Sequence, residues 1–418
     1  MAGIWLKAWT LYLILALGAS DPPPVPQEKL YDFKRNLLGL DKCNACIGTS
    51  ICKKFFKDEI RFERWLTAPP NLSTADERSY EANYTDSTAG WRTVVVSHLM
   101  SSHLQQRSDN SICSSAGKGK SCSIEAVLRA TPRFQRWVHS NLLLPSMVKG
   151  LATPMLRCPS QRLLDRIVRR YFEVIDVGSV QMKHFTEKDK LRLLYTLAVN
   201  QQALILQMFP GTEGWPFLRY HGSCGRVMVW AESTPIRSLF SSLLELRADV
   251  AYQLLHITQS LSSNSLQFNL FYTNVTEDMF GTLEDGRVFI VDTGTIGIID
   301  LKEGYPPDER LQTKHIDVFS CLTGSCEQPP PCETVRAAQS FILLCKHVLH
   351  NLLGPNDVRS HQLPRAALNE LTICSDQSQS DRRIMDAVQA LKNILQSLRP
   401  CSPLYGYRYP ECLYSDKF

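Results

Sequence analysis

The order of elements in this chain predicts an α+β fold of two unequal lobes behind a cysteine-rich N-terminal region. Between residues 151 and 231, strand-like runs flank one long stretch of helical apolar spacing, and beyond Pro235 the pattern becomes mainly helical. The clearest turn-and-strand signal in that later part is Glu284-Asp-Gly-Arg-Val-Phe-Ile-Val-Asp292-Thr-Gly294. Ahead of both, residues 21–150 hold five cysteines and a Ser/Gly/Lys-rich stretch from Cys113 to Cys122, which reads as irregular and disulfide-stapled.

The N-terminus sets the compartment. Lys7 precedes the apolar run Ala8 to Leu17, and Gly18-Ala-Ser20 offers a small-residue cleavage site before Asp21, so residues 1–20 are expected to be a signal peptide. The run is too short to span a bilayer, and no later apolar stretch approaches about 18 uncharged residues, so no transmembrane segment is expected after cleavage. The terminal Ser415-Asp-Lys-Phe418 is not a retrieval tag, which favours the Golgi lumen or secretion. An even count of 14 cysteines in that setting reads as disulfides, with Cys43, Cys46, Cys52, Cys113 and Cys122 as the N-terminal candidates. Cys43-Asn-Ala-Cys46 with Cys52 also has the look of three metal ligands, but no histidine pair follows at zinc-finger spacing. Asn71-Leu-Ser73 and Asn83-Tyr-Thr85 are glycosylation sequons in polar, loop-like sequence, and Asn274-Val-Thr276 is a third.

The elements follow in order. After the extended Pro22 to Pro26 leader, Tyr171 to Val180 is apolar and β-branched and reads as a strand ending near Lys183. Thr186 with Asp189 is an N-cap pair, and Leu191, Leu194, Tyr195, Ala198, Gln202, Ile205 and Phe209 continue as one helix to Pro210-Gly211. Phe217 to Tyr220 and Arg226 to Ala231 read as strands around Gly222-Ser-Cys-Gly225, and Glu232-Ser-Thr-Pro235 breaks the pattern. A helix is expected from Ile236 to Leu261, then a hairpin turn at Asp285-Gly286 leading into the strand Arg287 to Val291. Helices Glu333 to Leu353 and Asp381 to Leu398 close at Gly354-Pro355 and Pro400.

Composition excludes some classes. A formal charge of +5, with 44% hydrophobic and 21% charged residues, is ordinary for a globular protein. Lys118-Gly-Lys120 and Arg169-Arg-Tyr171 lack a base-stacking platform, so nucleic acid is not an expected partner. Neither a Gly-x-Ser-x-Gly elbow nor a His-Glu-x-x-His helix occurs. His347 and His350 lie in so apolar a segment that they read as packed or surface residues.

Asp292 carries the functional signal. An acid at a strand end beside a glycine is how a protein kinase holds the magnesium that bridges nucleotide phosphates, although the same residues also make an ordinary turn with a capping Asp. The chain resembles the divergent protein kinase domain family of the secretory pathway, in its deleted-in-autism-related branch. The residues that carry this are Cys43-Asn-Ala-Cys-Ile-Gly-Thr-Ser-Ile-Cys52, Val275-Thr-Glu-Asp-Met-Phe-Gly281 and Glu284 to Gly294. The resemblance implies a two-lobed protein-kinase-like fold with a disulfide-rich N-terminal extension: a small lobe over 151–231 and a helical large lobe over 232–418. It implies magnesium or manganese with ATP as cofactors, held by Asp292 and Asp278, with Asn274 at the base position and Glu277 or Asp278 as its alternatives for the base. Val180-Gln-Met-Lys183 resembles the strand that offers lysine to phosphates, and Glu232 falls in the linker that meets adenine.

There are departures from the kinase pattern. An amide at 274 cannot accept a proton as a carboxylate does, Arg162 to Tyr171 contains no glycine for a phosphate loop, and Asn200-Gln-Gln202 has no acid to pair with the lysine. No Ala-Pro-Glu follows Asp292. The resemblance therefore leaves two functions open: an atypical phosphotransferase acting on secretory or extracellular protein or glycan, or a pseudokinase secreted as a ligand or scaffold for a partner such as a cell-surface receptor. N-terminal sequencing of protein from a secreting eukaryotic host should read from Asp21; an intact Met1 end on cytosolic protein contradicts the leader.

Overall fold

Three strands from the cysteine-rich segment and two from beyond residue 219 join in one antiparallel sheet. In the computed structural model the described residues are 38–39, 43, 46, 48, 50–65, 79–86, 90–119, 122–140, 142–175, 185–304, 317–323, 330–354 and 363–399. The strands are β1 (Ile60–Trp65), β2 (Ser79–Asp86), β3 (Gly90–His98), β4 (Tyr220–Cys224) and β5 (Val227–Ala231), in the spatial order β1-β2-β3-β5-β4. Alternation sets the faces. Ile60, Ala82, Tyr84, Val94, Val96, Val227 and Val229 turn to one side and close a core with Leu38, Ile51 and Phe55 of the short helix α1 (Cys52–Phe56). Met228 and Trp230 turn to the other side and join the main core.

This sheet corrects the expected organisation. The boundary drawn at residue 150 cuts through it, and the segment read as irregular supplies three of its five strands. That segment also forms α2 (Ser102–Ser115), α3 (Ile124–Arg129) and α4 (Pro132–Ser140). Asn83 lies within β2, opposite Thr93, rather than in a loop. The β4–β5 hairpin turns at Gly225-Arg226, two residues later than expected, because Gly225 takes φ +62° and a Cβ there would sit 1.8 Å from the Leu38 carbonyl oxygen. Arg226 then forms a two-pronged pair with Asp109 at 2.9 Å, anchoring the hairpin to α2.

Tyr171 to Ile175, expected as strand, is the last part of α5 (Gln161–Ile175). Its buried residues Leu163, Leu164, Ile167 and Tyr171 recur at helical spacing, which outweighs the β-branched end; residues 176–184, including Lys183, lie outside the described residues. The expected single helix is two, α6 (Glu187–Val199) and α7 (Gln202–Met208), broken at Asn200. The capping box of Thr186 and Asp189 starts α6 as the sequence indicates. Downstream, Ile236–Leu239 is a separate 3-10 turn before α8 (Leu244–Ser262). Glu333 to Leu353 resolves into a 3-10 turn, then α9 (Gln339–Leu344), which runs through a π-helical turn at Cys345–Leu349 into His350–Leu353. Two further helices are α10 (Arg365–Ser375) and α11 (Asp381–Leu398), and α11 packs with α8.

The remaining strands are short. β6 (Thr234–Pro235), β8 (Phe280–Thr282) and β9 (Val288–Ile290) form a three-stranded ribbon in the order β6-β8-β9, while β7 (Phe268–Tyr272) pairs with β10 (Ile296–Asp300). The described residues all fall in one compact unit, and among them no helix is long and apolar enough to cross a membrane.

Disulfides join Cys43 to Cys46, Cys52 to Cys224, Cys113 to Cys122, Cys158 to Cys332 and Cys345 to Cys374. The Cys52–Cys224 bond spans 172 residues and fastens α1 to β4. Replacing both cysteines by serine should cost about 2–5 kcal/mol in denaturant unfolding. Non-reducing peptide mapping should recover the two peptides linked, and free thiols at these positions would contradict the pairing.

Candidate functional site

The break between α6 and α7 positions the site. Asn200 leaves helical geometry at φ −156° and ψ 113°, and three successive amide side chains then turn in different directions. Asn200 Nδ2 donates to the Leu99 carbonyl just past β3 at 2.8 Å, while its Oδ1 accepts from the Gln202 amide N–H at 2.8 Å. Gln201, only 2% exposed, accepts from the Met155 N–H through Oε1 at 2.7 Å. Its Nε2 donates to the Thr293 and Ile296 carbonyls, each at 2.8 Å. Gln202 Nε2 donates to the Val291 carbonyl at 3.0 Å.

These amides stand where a kinase pattern calls for a helix acid. A carboxylate at 201 would face two carbonyl oxygens and could donate nothing, whereas an amide both donates and accepts. Gln201 thus acts as a backbone clamp on the Asp292-Thr-Gly turn.

The strand pair ahead of that turn forms as the sequence indicates. Gly286 takes φ +73°, its N–H donates to the Leu283 carbonyl at 2.8 Å, and Phe280 to Thr282 pair with Ile290 to Val288. Beyond the pair, the N–H groups of Val291 and Asp292 both point at the Met279 carbonyl, at 2.8 and 3.4 Å. Met279 follows Asp278, so the two predicted metal carboxylates lie on adjoining backbone. Asp292 is exposed, and its Oδ1 accepts from the Gly294 N–H at 2.7 Å.

The loop after β7 is laced to the same turn. Thr273 N–H donates to the Thr295 carbonyl at 2.9 Å, and Thr295 Oγ1 donates to the Asn274 carbonyl at 2.9 Å. Asn274 is exposed, with Oδ1 accepting from the neighbouring Val275 N–H. Burial pushes the Tyr272 phenol well above its ordinary value, so it stays neutral as the loop's apolar anchor.

Asp278 is 74% exposed on its side chain and faces Arg237 Nη2 at 3.6 Å. Arg237 Nε meets Glu277 Oε2 at 2.9 Å, and Glu277 Oε1 accepts from Asn351 Nδ2 at 2.7 Å. Sequence reasoning missed Arg237 and Gln201. Arg237 sits just after Pro235, where a turn brings its cation back toward the 277–278 acids, and no local motif announces that.

Glu232 follows β5 by one residue and is half-buried. Its segment runs into β6, where Thr234 and Pro235 pair with Thr282 and Gly281. Gly281 allows this approach: a Cβ there would lie 2.5 Å from Ser233 Oγ and 2.9 Å from Val291 Cγ2. The structure therefore brings the linker, Asn274, Asp278 and Asp292 around one short ribbon. Lys183 is outside the described residues, and β3, the strand flanking β5, contains no lysine.

Among the described residues no three His, Cys, Asp or Glu side chains gather to hold a metal on their own. Asp278 and Asp292, on adjoining backbone, are of the ligand type that suits magnesium, which takes one or two protein oxygens and completes its octahedron with phosphates and water.

Residues 194–377 match the family model described as the protein-kinase domain of FAM69. The chain is similar to Divergent protein kinase domain 2B of Mus musculus, at 47% identity with 100% of this chain and 96% of the relative covered. The same protein of Homo sapiens is 47% identical over 99% of this chain and 95% of its own length. Divergent protein kinase domain 2A of Homo sapiens is 38% identical over 75% of each chain. Among solved structures, the Rv3197–erythromycin complex of Mycobacterium tuberculosis aligns with 82% of this chain and 77% of its own at 16% identity and TM-score 0.30.

Replacing Gln201 by leucine should destabilise the protein by about 1–3 kcal/mol in denaturant unfolding, because it strands two buried carbonyls and one N–H. Faster hydrogen exchange should localise to residues 291–297. A neutral Gln201→Leu would contradict the clamp.

Proposed function

The chain belongs to the divergent protein kinase domain family, and on that premise we propose that it is a kinase-like protein of the secretory route that binds a divalent metal–nucleotide complex beside the Asp292 turn. The observation that carries this reading is the shared Met279 carbonyl, which puts Asp278 and Asp292 on adjoining backbone at the end of one strand pair. In this reading the five-stranded sheet with α6 and α7 is the small lobe, and α8 onward is the helical large lobe. Asp292 and Asp278 would hold magnesium or manganese of a metal–ATP complex, and the metal would neutralise phosphate charge. The linker at Glu232 would meet the adenine, and Lys183 would reach the phosphates. The acceptor is a hydroxyl on a secretory or extracellular protein or glycan. The protein acts in the Golgi lumen or after secretion and carries glycan at Asn71 and Asn83.

The polypeptide's own contribution is positional. The Gln201 clamp fixes the turn that bears Asp292, and the Gly294 N–H holds one carboxylate oxygen so that the other can face a ligand. Asn274 marks the base position with an amide whose oxygen already accepts from Val275 N–H, so proton removal lacks a carboxylate there. Losing a general base costs on the order of 10²–10⁴ in rate. That same amide favours a second reading, a pseudokinase secreted as a ligand or scaffold for a cell-surface receptor.

A nucleotide with magnesium or manganese should raise the melting temperature, and at 100 times its dissociation constant the stabilisation is about 2.7 kcal/mol. Asp292→Ala should abolish the shift while leaving the apo protein folded, Asp278→Ala should reduce it, and Lys183→Ala should reduce it less. Metal alone should give no shift, since two carboxylates make a poor cage without phosphates. Absence of any shift at millimolar nucleotide and metal, with cell-surface binding unchanged in Asp292→Ala, would establish the pseudokinase reading instead.

A further inference from the structure

We infer that the exposed β1–β3 part of the sheet, on the face that β5 turns to the main core, seats an N-linked glycan of this same chain, attached at Asn83 and packed against Trp91. The inference rests on the secretory reading above, since that is where the modification occurs, and is independent of the nucleotide site.

The strand register carries the argument. Asn83 on β2 lies opposite Arg61 on β1 and Thr93 on β3, and Thr85 lies opposite Trp91. Residues opposite one another, and those two apart on a strand, share a face. Arg61, Asn83, Thr85, Trp91 and Thr93 therefore share the face turned away from buried Ile60, Ala82, Tyr84 and Val94. On it Trp91 is 48% exposed, large for a tryptophan. The Arg61 guanidinium carbon lies 4.6 Å from the Trp91 ring centroid, and Arg61 Nε is tethered to the Asp58 carbonyl at 3.2 Å. Arg61 comes from β1 and Trp91 from β3, so this stack passes over β2, the strand that bears Asn83-Tyr-Thr85.

Asn83 and Trp91 are diagonal neighbours, a relation that spans about 7–8 Å and is bridged by large side chains. An N-acetylglucosamine on Asn83 reaches across that distance beside the Arg61 guanidinium, to the part of the Trp91 ring that stays exposed. One side of the sugar ring presents aliphatic C–H groups, which pack on an aromatic face and remove it from water. In the modification Asn83 Nδ2 loses a proton and bonds to the anomeric carbon of the sugar. The bond from that carbon to a lipid diphosphate breaks, and the diphosphate leaves with the electron pair. The exposed tryptophan is then covered by the chain's own sugar rather than left as an apolar spot.

The test uses the full chain secreted from a eukaryotic host, with glycopeptide mass mapping at Asn83 and thermal melts of wild type, Asn83→Gln, Trp91→Ala and the double variant. Asn83 should be occupied. Trp91→Ala should lower the midpoint by about 1–2 °C more in glycosylated protein than in the Asn83→Gln background, where only the Arg61 stack is lost. Trp91→Phe should keep most of the difference. Trimming wild type enzymatically to one sugar and then to none, the last step leaving Asp at position 83, tests the contact without altering Trp91: only the second step should shift tryptophan emission. An unmodified Asn83 on secreted protein overturns the site. Equal cost of Trp91→Ala in both backgrounds, or emission blind to the last sugar, overturns the packing and gives Trp91 to a protein partner instead. Retention of residues 1–20 on cytosolic protein would remove the secretory reading itself, an outcome distinct from either.

Discussion

The three-way amide junction at Asn200, Gln201 and Gln202 is the contact on which the site depends. Its six hydrogen bonds run to Leu99 beyond β3, to Met155, to the carbonyls of Val291, Thr293 and Ile296, and from one amide of the junction to the next. In this way one helix break joins the end of β3, the Pro154–Leu156 turn and the strand end that bears Asp292. Each bond is modest on its own, but burial raises the cost of leaving any of them unmade. An acid at the central position would disrupt the arrangement by setting a charge against carbonyl dipoles. The lack of a helix Glu is therefore accompanied by a structural gain, a turn held by neutral amides that do not depend on a lysine partner.

That exchange shapes the chemistry. Asp292 and Asp278 face solvent on adjoining backbone, but Asp278 has Arg237 beside it, and Arg237 is itself held by Glu277. A metal at Asp278 would contend with that cation, while Asp292 has no such rival among the described residues. Any metal site here is thus unequal, with Asp292 dominant. The linker adds a further constraint, since Gly281 lets Ser233 press onto the β8–β9 ribbon where a side chain would clash.

Local sequence foretold the elements whose causes are local. The Asp285-Gly286 turn, the Thr186 and Asp189 capping box and the Asp381–Leu398 helix all depend on residues within a few positions, and all form. The five-stranded sheet was not legible, because β3 pairs with a strand more than a hundred residues later and the alternation of β1 to β3 is short and partly polar. Tyr171 to Ile175 misled through its β-branched residues, although the apolar positions from Leu163 onward carry the helical period. Asn200-Gln-Gln202 was visible as a missing acid, but its positive role depends on carbonyls brought near only by the fold. Arg237 was silent for the same reason. At the site, Asn274, Asp278, Asp292 and Glu232 were singled out from motif order, while the hydrogen-bond and ion-pair partners that hold them in the fold were not legible.

The most direct test of the unequal metal site is an anomalous difference map from crystals of the full mature chain grown with manganese and a non-hydrolysable ATP analogue. The account predicts one manganese peak within coordination distance of Asp292, with phosphate oxygens and water completing the shell and Asp278 contributing less or through water. A peak bound elsewhere, or ordered nucleotide with no metal at Asp292, would contradict it.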